Sequence, residues 1–147
     1  MNKDNMVEIL LVEDNDQDAE LVTRSLNKNN ITNSIVRVTN GELALDFLFG
    51  RNEFEHRSAK VQPKVVLLDL KMPKVDGLEV LKVMRAHEDT CNTPVVMMTS
   101  SKEERDMIES YKLGANSYVV KPLDFDVFMK AVRDIGFYWL LLNERPL

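Results

Sequence analysis

Five short apolar runs rich in β-branched residues alternate with longer segments of helical period, and this alternation limits the folds open to the chain more than any other feature. The strand candidates are residues 7–12, apolar apart from Glu8, then 34–38, 65–68, 94–98 and 117–120. Between and after them, residues 16–28 space Ala19, Leu21, Val22 and Leu26 on one helical face. Residues 41–49 do so with Leu43, Ala44, Phe47 and Leu48, and 78–85 with Val80, Leu81 and Met84. Residues 103–113 and 125–142 complete five helices. The connections are too long for hairpins, so the strands should run parallel with right-handed helical crossovers, an α/β class with a doubly wound five-stranded sheet. The stretch 51–64 mixes charge with His56, Ser58 and Pro63 and reads as a surface loop.

A length of 147 residues suits one domain, expected to span 1–147 with a core of about 6–134 and an aromatic extension over 135–147. Apolar residues at 44% and charged residues at 29% exclude a disordered chain. Nineteen basic against 24 acidic residues give a formal charge of -5, which disfavours nucleic acid as a partner. The single cysteine, Cys91, excludes a disulfide framework and a multi-thiolate zinc site, and fits a reducing, cytoplasmic setting. The apolar run 9–12 is too short for a signal segment or a membrane span, so no membrane partner is expected.

In open parallel sheets, ligands bind beyond the carboxyl ends of the strands. Here those ends carry Glu13 and Asp14, Asp69, Thr99 and Ser100, and Lys121 with Pro122. Simpler roles exist for several. Asp14 or Asp16 could cap the first helix, and Thr99, Ser100 or Ser101 the fourth, with Ser101 and Glu104 spaced as a capping box. Lys121 could be a plain buried partner of Asp69. A structural pair needs one acid, however, and three are available; clustered carboxylates repel and are tolerated mainly where a divalent cation is held. His56, His87 and Cys91 lie in polar stretches away from the strand ends, and Met97 and Met98 read as core filler.

Glu13-Asp14 after the first strand, Asp69-Leu70-Lys71-Met72-Pro73 with Asp76-Gly77 after the third, Thr99-Ser100 after the fourth and Tyr118-Val119-Val120-Lys121-Pro122 at the fifth resemble the receiver domain of bacterial response regulators, with its flavodoxin-like (βα)5 fold. That resemblance implies that Asp69 accepts a phosphoryl group from a histidine kinase, and that Glu13, Asp14, Asp69 and the Lys71 backbone carbonyl hold Mg²⁺. It further implies that Thr99 and Lys121 contact the phosphoryl oxygens, that Thr99 and Tyr118 form the switch, and that the Lys121–Pro122 peptide is cis. The chemistry agrees: a carboxylate attacking phosphorus brings anion toward anion, which a divalent cation and an ammonium must offset.

Three features depart from a minimal receiver: the long connection 51–64, the run Phe137-Tyr138-Trp139-Leu140-Leu141-Leu142 in the expected last helix, and the expectation that no output module follows Leu147. Together they are similar to the single-domain response regulators that partner bacterial phytochromes. One helical face cannot bury six consecutive large apolar residues, so a homodimer or kinase-docking surface is expected on the fourth-helix, fifth-strand and last-helix side. A Mg²⁺-dependent aspartyl-phosphate hydrolase would want a second acid two residues after Asp69, where Lys71 stands. A nucleotide-binding fold would want glycines or a lysine in the acidic turn at 13–16. A pseudo-receiver acting only as a binding module would lack pocket residues, and none is lacking.

Overall fold

The computed structural model describes residues 9–28, 34–100 and 102–121. Their elements run β1 (Ile9–Val12), α1 (Asp16–Lys28), β2 (Ile35–Val38), α2 (Gly41–Phe49), β3 (Val65–Leu68), α3 (Gly77–Ala86), β4 (Val95–Thr99), α4 (Glu104–Lys112) and β5 (Ser117–Val120). The five strands form one parallel sheet in the order β2-β1-β3-β4-β5. Chain order reverses between β1 and β3, which opens a crevice beyond their carboxyl ends. The helix expected over 125–142, the tail from 135 and the Lys121–Pro122 peptide geometry lie outside the described residues.

Burial explains why these runs are strands. Every residue of β1, β3 and β4 is buried, because helices cover both faces of the sheet. Side chains alternate between two cores. Leu10, Val12, Val66, Leu68, Val95 and Met97 meet Ala44, Phe47 and Leu48 of α2 and Val80, Leu81 and Met84 of α3. Ile9, Leu11, Val65, Leu67, Val96 and Met98 face Ala19, Val22 and Leu26 of α1. Within the described residues, the predicted strands and the first four predicted helices agree with these elements to within one residue, with Thr99 closing β4 rather than following it.

Three local readings need correction. The cap of α1 is neither Asp14 nor Asp16 but Asn15, whose Oδ1 accepts from the Asp18 amide at 2.9 Å. At α4 the N-cap position is Glu103, whose carboxylate accepts from Arg105 Nε at 2.7 Å rather than from a backbone amide of the first turn, so neither Thr99 nor Ser100 holds the cap position; Ser101 lies outside the described residues. The stretch 51–64 is more than a surface loop. It contains a 3-10 turn at Asn52–Phe54 and buries Arg57, Gln62 and Pro63. The Arg57 guanidinium stacks on the Phe47 ring at 3.7 Å and donates to the Phe47 and Val61 carbonyls, while Gln62 Nε2 donates to the Leu48 carbonyl at 2.9 Å. A charged residue is buried here because its donors reach backbone carbonyls and its flat face covers an aromatic ring.

Two devices aim the strand ends. Gly77 opens α3 directly behind β3; a Cβ there would sit 2.2 Å from the Asp69 carbonyl oxygen, so only glycine permits the approach. Asp76 caps the same helix by accepting from the Glu79 amide at 2.9 Å, which fixes the loop after Asp69. On the far side, Arg85 of α3 donates to the carbonyls of Thr93 and Gly114, at 2.8 and 2.9 Å, and holds the α4–β5 turn in place. That turn delivers β5, and so Tyr118 and Lys121, to the sheet edge.

Candidate functional site

The topology brings the sequence candidates together at the switch point. Backbone bonds extend the sheet into the site: the Glu13 amide donates to Val38 at 3.1 Å, the Asp69 amide to Val12 at 3.0 Å, and the Lys121 amide to Thr99. Glu13 and Asp69 are thereby held side by side, buried, with Asp14 exposed beside them. One carboxylate oxygen from each of Glu13, Asp14 and Asp69 lies within 4.8 Å of the others. Three hard oxygen donors converging at this spacing suit a divalent cation such as Mg²⁺ or Mn²⁺ and would be a poor site for a soft metal. Lys71 follows in the exposed loop two residues after Asp69.

Lys121 stands across from the acids. Its Nζ donates to Glu13 Oε1 and, at 2.9 Å, to Asp18 Oδ2, and it lies 3.6 Å from Asp69 Oδ2. Glu13 Oε2 also accepts from the Asn15 amide at 3.2 Å. Three carboxylates therefore surround one ammonium, with Asp14 a further acid beside Glu13 and Asp69, and the imbalance appears in the titration of Glu13. Burial first, then a hydrogen bond with Asp69, raise its pKa from 4.5 to about 7 against the opposing pull of Lys121. For Lys121, burial works against its charge, but the bonds to Glu13 and Asp18 with the charges of Asp69 and Glu13 outweigh it, so its pKa lies above the ordinary lysine value. The site is thus charge-deficient by construction, and a cation offsets the deficit.

Thr99 is fully buried at the end of β4, one strand from Asp69. Tyr118 is half-buried on β5 opposite Met97, against the α2–α3 core. Every expected site residue within the described part therefore sits at the carboxyl edge or, for Tyr118, on the adjoining strand. Two others were not anticipated. Asp18 joins the site through Lys121, and Arg37 of β2 donates to the Glu13 carbonyl at 3.0 Å and pairs with Asp16 at 2.8 Å, bracing the acidic turn. Asp18 reads in the sequence as an ordinary first-turn acid, and the 103 residues to Lys121 hide the pairing.

Residues 9–133 match the response regulator receiver domain. This chain belongs to that family. Receivers act in two-component signalling, and the chain is a response regulator of that kind. It is 37% identical to response regulator Rcp1 of Synechocystis over 90% of this chain and 88% of that protein. The Mn²⁺-bound crystal structure of Rcp1 superposes with a TM-score of 0.84 at 35% identity, covering 96% of this chain and 99% of the other. The phosphorylated cyanobacterial phytochrome response regulator RcpA superposes at 0.85 with 32% identity, covering 97% and 99%. The chain is also 38% identical to the probable methanogenesis regulatory protein FilR2 of Methanothrix harundinacea, over 94% of this chain and 86% of that one. Membership in a receiver family sets aside the nucleotide-binding reading, since the acidic turn of this fold serves cations. No helix among the described residues is long and apolar enough to cross a membrane.

Proposed function

We propose that this receiver takes a phosphoryl group from a sensor histidine kinase onto Asp69, with Mg²⁺, and signals by changed protein contacts rather than by turnover of a substrate. The observation that carries the reading is the placement of a buried Asp69 carboxylate between two acids and the Lys121 ammonium. A Mg²⁺ ion held by Glu13, Asp14, Asp69 and the Lys71 carbonyl would offset the charge of the approaching phosphoryl group. An Asp69 carboxylate oxygen attacks phosphorus, the bond from phosphorus to the donor atom breaks, and its electron pair leaves with the donor. Lys121 then pairs with a phosphoryl oxygen, and the buried Thr99 hydroxyl donates to another. The incoming charge, about -1.5 to -2, draws Thr99 toward it, and Tyr118 follows to a deeper position. That chain of movements is the switch.

The partner favoured by the likeness to Rcp1 and RcpA is a phytochrome-type kinase. A second copy of this chain fits the output side, on the α4 and β5 face; the apolar residues of 135–147, the other part expected to contribute, lie outside the described residues. Met107, Ile108 and Tyr111 of α4 are 39%, 45% and 48% exposed, an apolar patch beside β5 of the sort that interfaces use. The hydrolase reading lacks the second acid it needs at Lys71, and a binding-only receiver would have no use for the assembled Glu13, Asp14, Asp69 and Lys121 group. The test is the metal dependence of phosphorylation from a small acyl phosphate. Asp14→Ala should raise the Mg²⁺ concentration needed for half-maximal labelling, and labelling indifferent to both Mg²⁺ and the substitution contradicts the proposal. Sedimentation of the full chain against one lacking 136–147, with and without a phosphoryl mimic, checks the dimer: a full chain monomeric in both states removes it.

A further inference from the structure

We infer that Asp18 is a positioning residue of the phosphorylation site, a second counter-ion that holds Lys121 away from Asp69 and must release it when the phosphoryl group arrives. The inference rests on the reading of Asp69 as phosphoacceptor. Lys121 has three protons to donate. Two lie along hydrogen bonds, to Glu13 Oε1 and to Asp18 Oδ2 at 2.9 Å, whereas Asp69 Oδ2 at 3.6 Å is beyond hydrogen-bond range. In this state the ammonium is therefore committed to Glu13 and Asp18, not to the acceptor.

The two partners differ in what release costs them. The Glu13 side chain is 3% exposed, so losing Lys121 would leave a buried carboxyl group without its donor; that of Asp18 is 39% exposed and can return to water. Asp18 is also fixed from its own side, because its amide is bound by Asn15 Oδ1 at 2.9 Å in the cap of α1. Its carboxylate therefore stays aimed at Lys121 and competes for it in every cycle. When Asp69 carries phosphoryl oxygens, Lys121 reaches one of them by giving up Asp18, and the free energy of that pair opposes the phosphorylated state.

Removing the competitor should favour the engaged state. At saturating Mg²⁺, Asp18→Asn should bind beryllium trifluoride, an acyl-phosphate mimic, about two- to fivefold more tightly than wild type, the range spanned by a part-exposed ion pair. Asp18→Glu, which keeps the charge, should stay near wild type. The Mg²⁺ half-saturation without the mimic should change in the opposite sense for Asp18→Asn, because a nearby negative charge is lost. A role confined to capping or folding would lower the thermal midpoint of Asp18→Asn without tightening the mimic. Calorimetric titration of the three folded proteins decides it. Equal or weaker mimic binding by Asp18→Asn, or Asp18→Glu behaving like Asp18→Asn, overturns the role of Asp18 while leaving Asp69 in place. A wild-type chain that binds no mimic overturns the phosphoacceptor reading and this inference with it.

Discussion

Glu13 gives the structure a pH dependence that can be worked out with its sign. Burial and the hydrogen bond with Asp69 raise its pKa from 4.5 to about 7 in the metal-free fold. Between those two values the folded chain keeps a proton that the unfolded chain has lost, so the unfolded state binds fewer protons and stability falls as pH rises. The contribution is fully present below pH 4.5 and is gone above about 7. At about 1.4 kcal/mol per unit, the full change is about 3 kcal/mol, a sizeable share of a typical domain's total. Urea unfolding of wild type and Glu13→Gln in a chelator, at half-unit steps from pH 4.5 to 8, isolates it, because the other acids cancel in the difference. The stability of wild type relative to Glu13→Gln should decline steadily across the window. A flat difference, or one that grows with pH, would show that Lys121 wins and that the carboxylate stays ionised throughout. The same titration has a functional counterpart: a cation needs Glu13 ionised, so Mg²⁺ affinity should climb by up to about tenfold per pH unit below 7.

Two further outcomes follow from single residues. Gly77→Ala places a Cβ 2.2 Å from the Asp69 carbonyl oxygen, so either α3 or the acceptor strand must shift; a loss of about 1–3 kcal/mol in urea unfolding together with weaker Mg²⁺ binding is expected, and unchanged values for both would refute the fit. Lys71, exposed two residues past Asp69, should lean over the phosphoryl group and hinder an attacking water, so Lys71→Ala should release phosphate about two- to fivefold faster, and equal or slower release ends that idea.

Hydropathy made the sheet and the position of the site legible. Runs such as 65–68 are apolar throughout because both faces are covered, and a carboxylate directly after them must lie at the strand's carboxyl end. The motif-bearing residues needed only the parallel topology to meet. Residues whose roles depend on distant polar partners stayed hidden. Asp18 is bound to Lys121 from the far end of the sequence, Arg37 reaches the Glu13 carbonyl from a neighbouring strand, and Arg57 is buried against a ring and two carbonyls. None of those contacts has a period or a local spacing. The α1 cap expected at Asp14 or Asp16 falls instead on Asn15 for a related reason: all three are capping residue types, and only the turn geometry selects the Asn15 side chain.

The central claim is that the phosphoryl group is carried by the Asp69 carboxylate. An acyl phosphate is reduced by borohydride to the alcohol, so an aspartyl phosphate is converted to homoserine while an unmodified aspartate is untouched. Wild-type protein treated with a small acyl phosphate and Mg²⁺, then reduced and mapped by peptide mass, should contain homoserine at position 69 and nowhere else, and Asp69→Asn should contain none. Homoserine at Asp14 or another acid, or a phosphoryl group retained on His56 or His87 with Asp69 unmodified, would contradict the account.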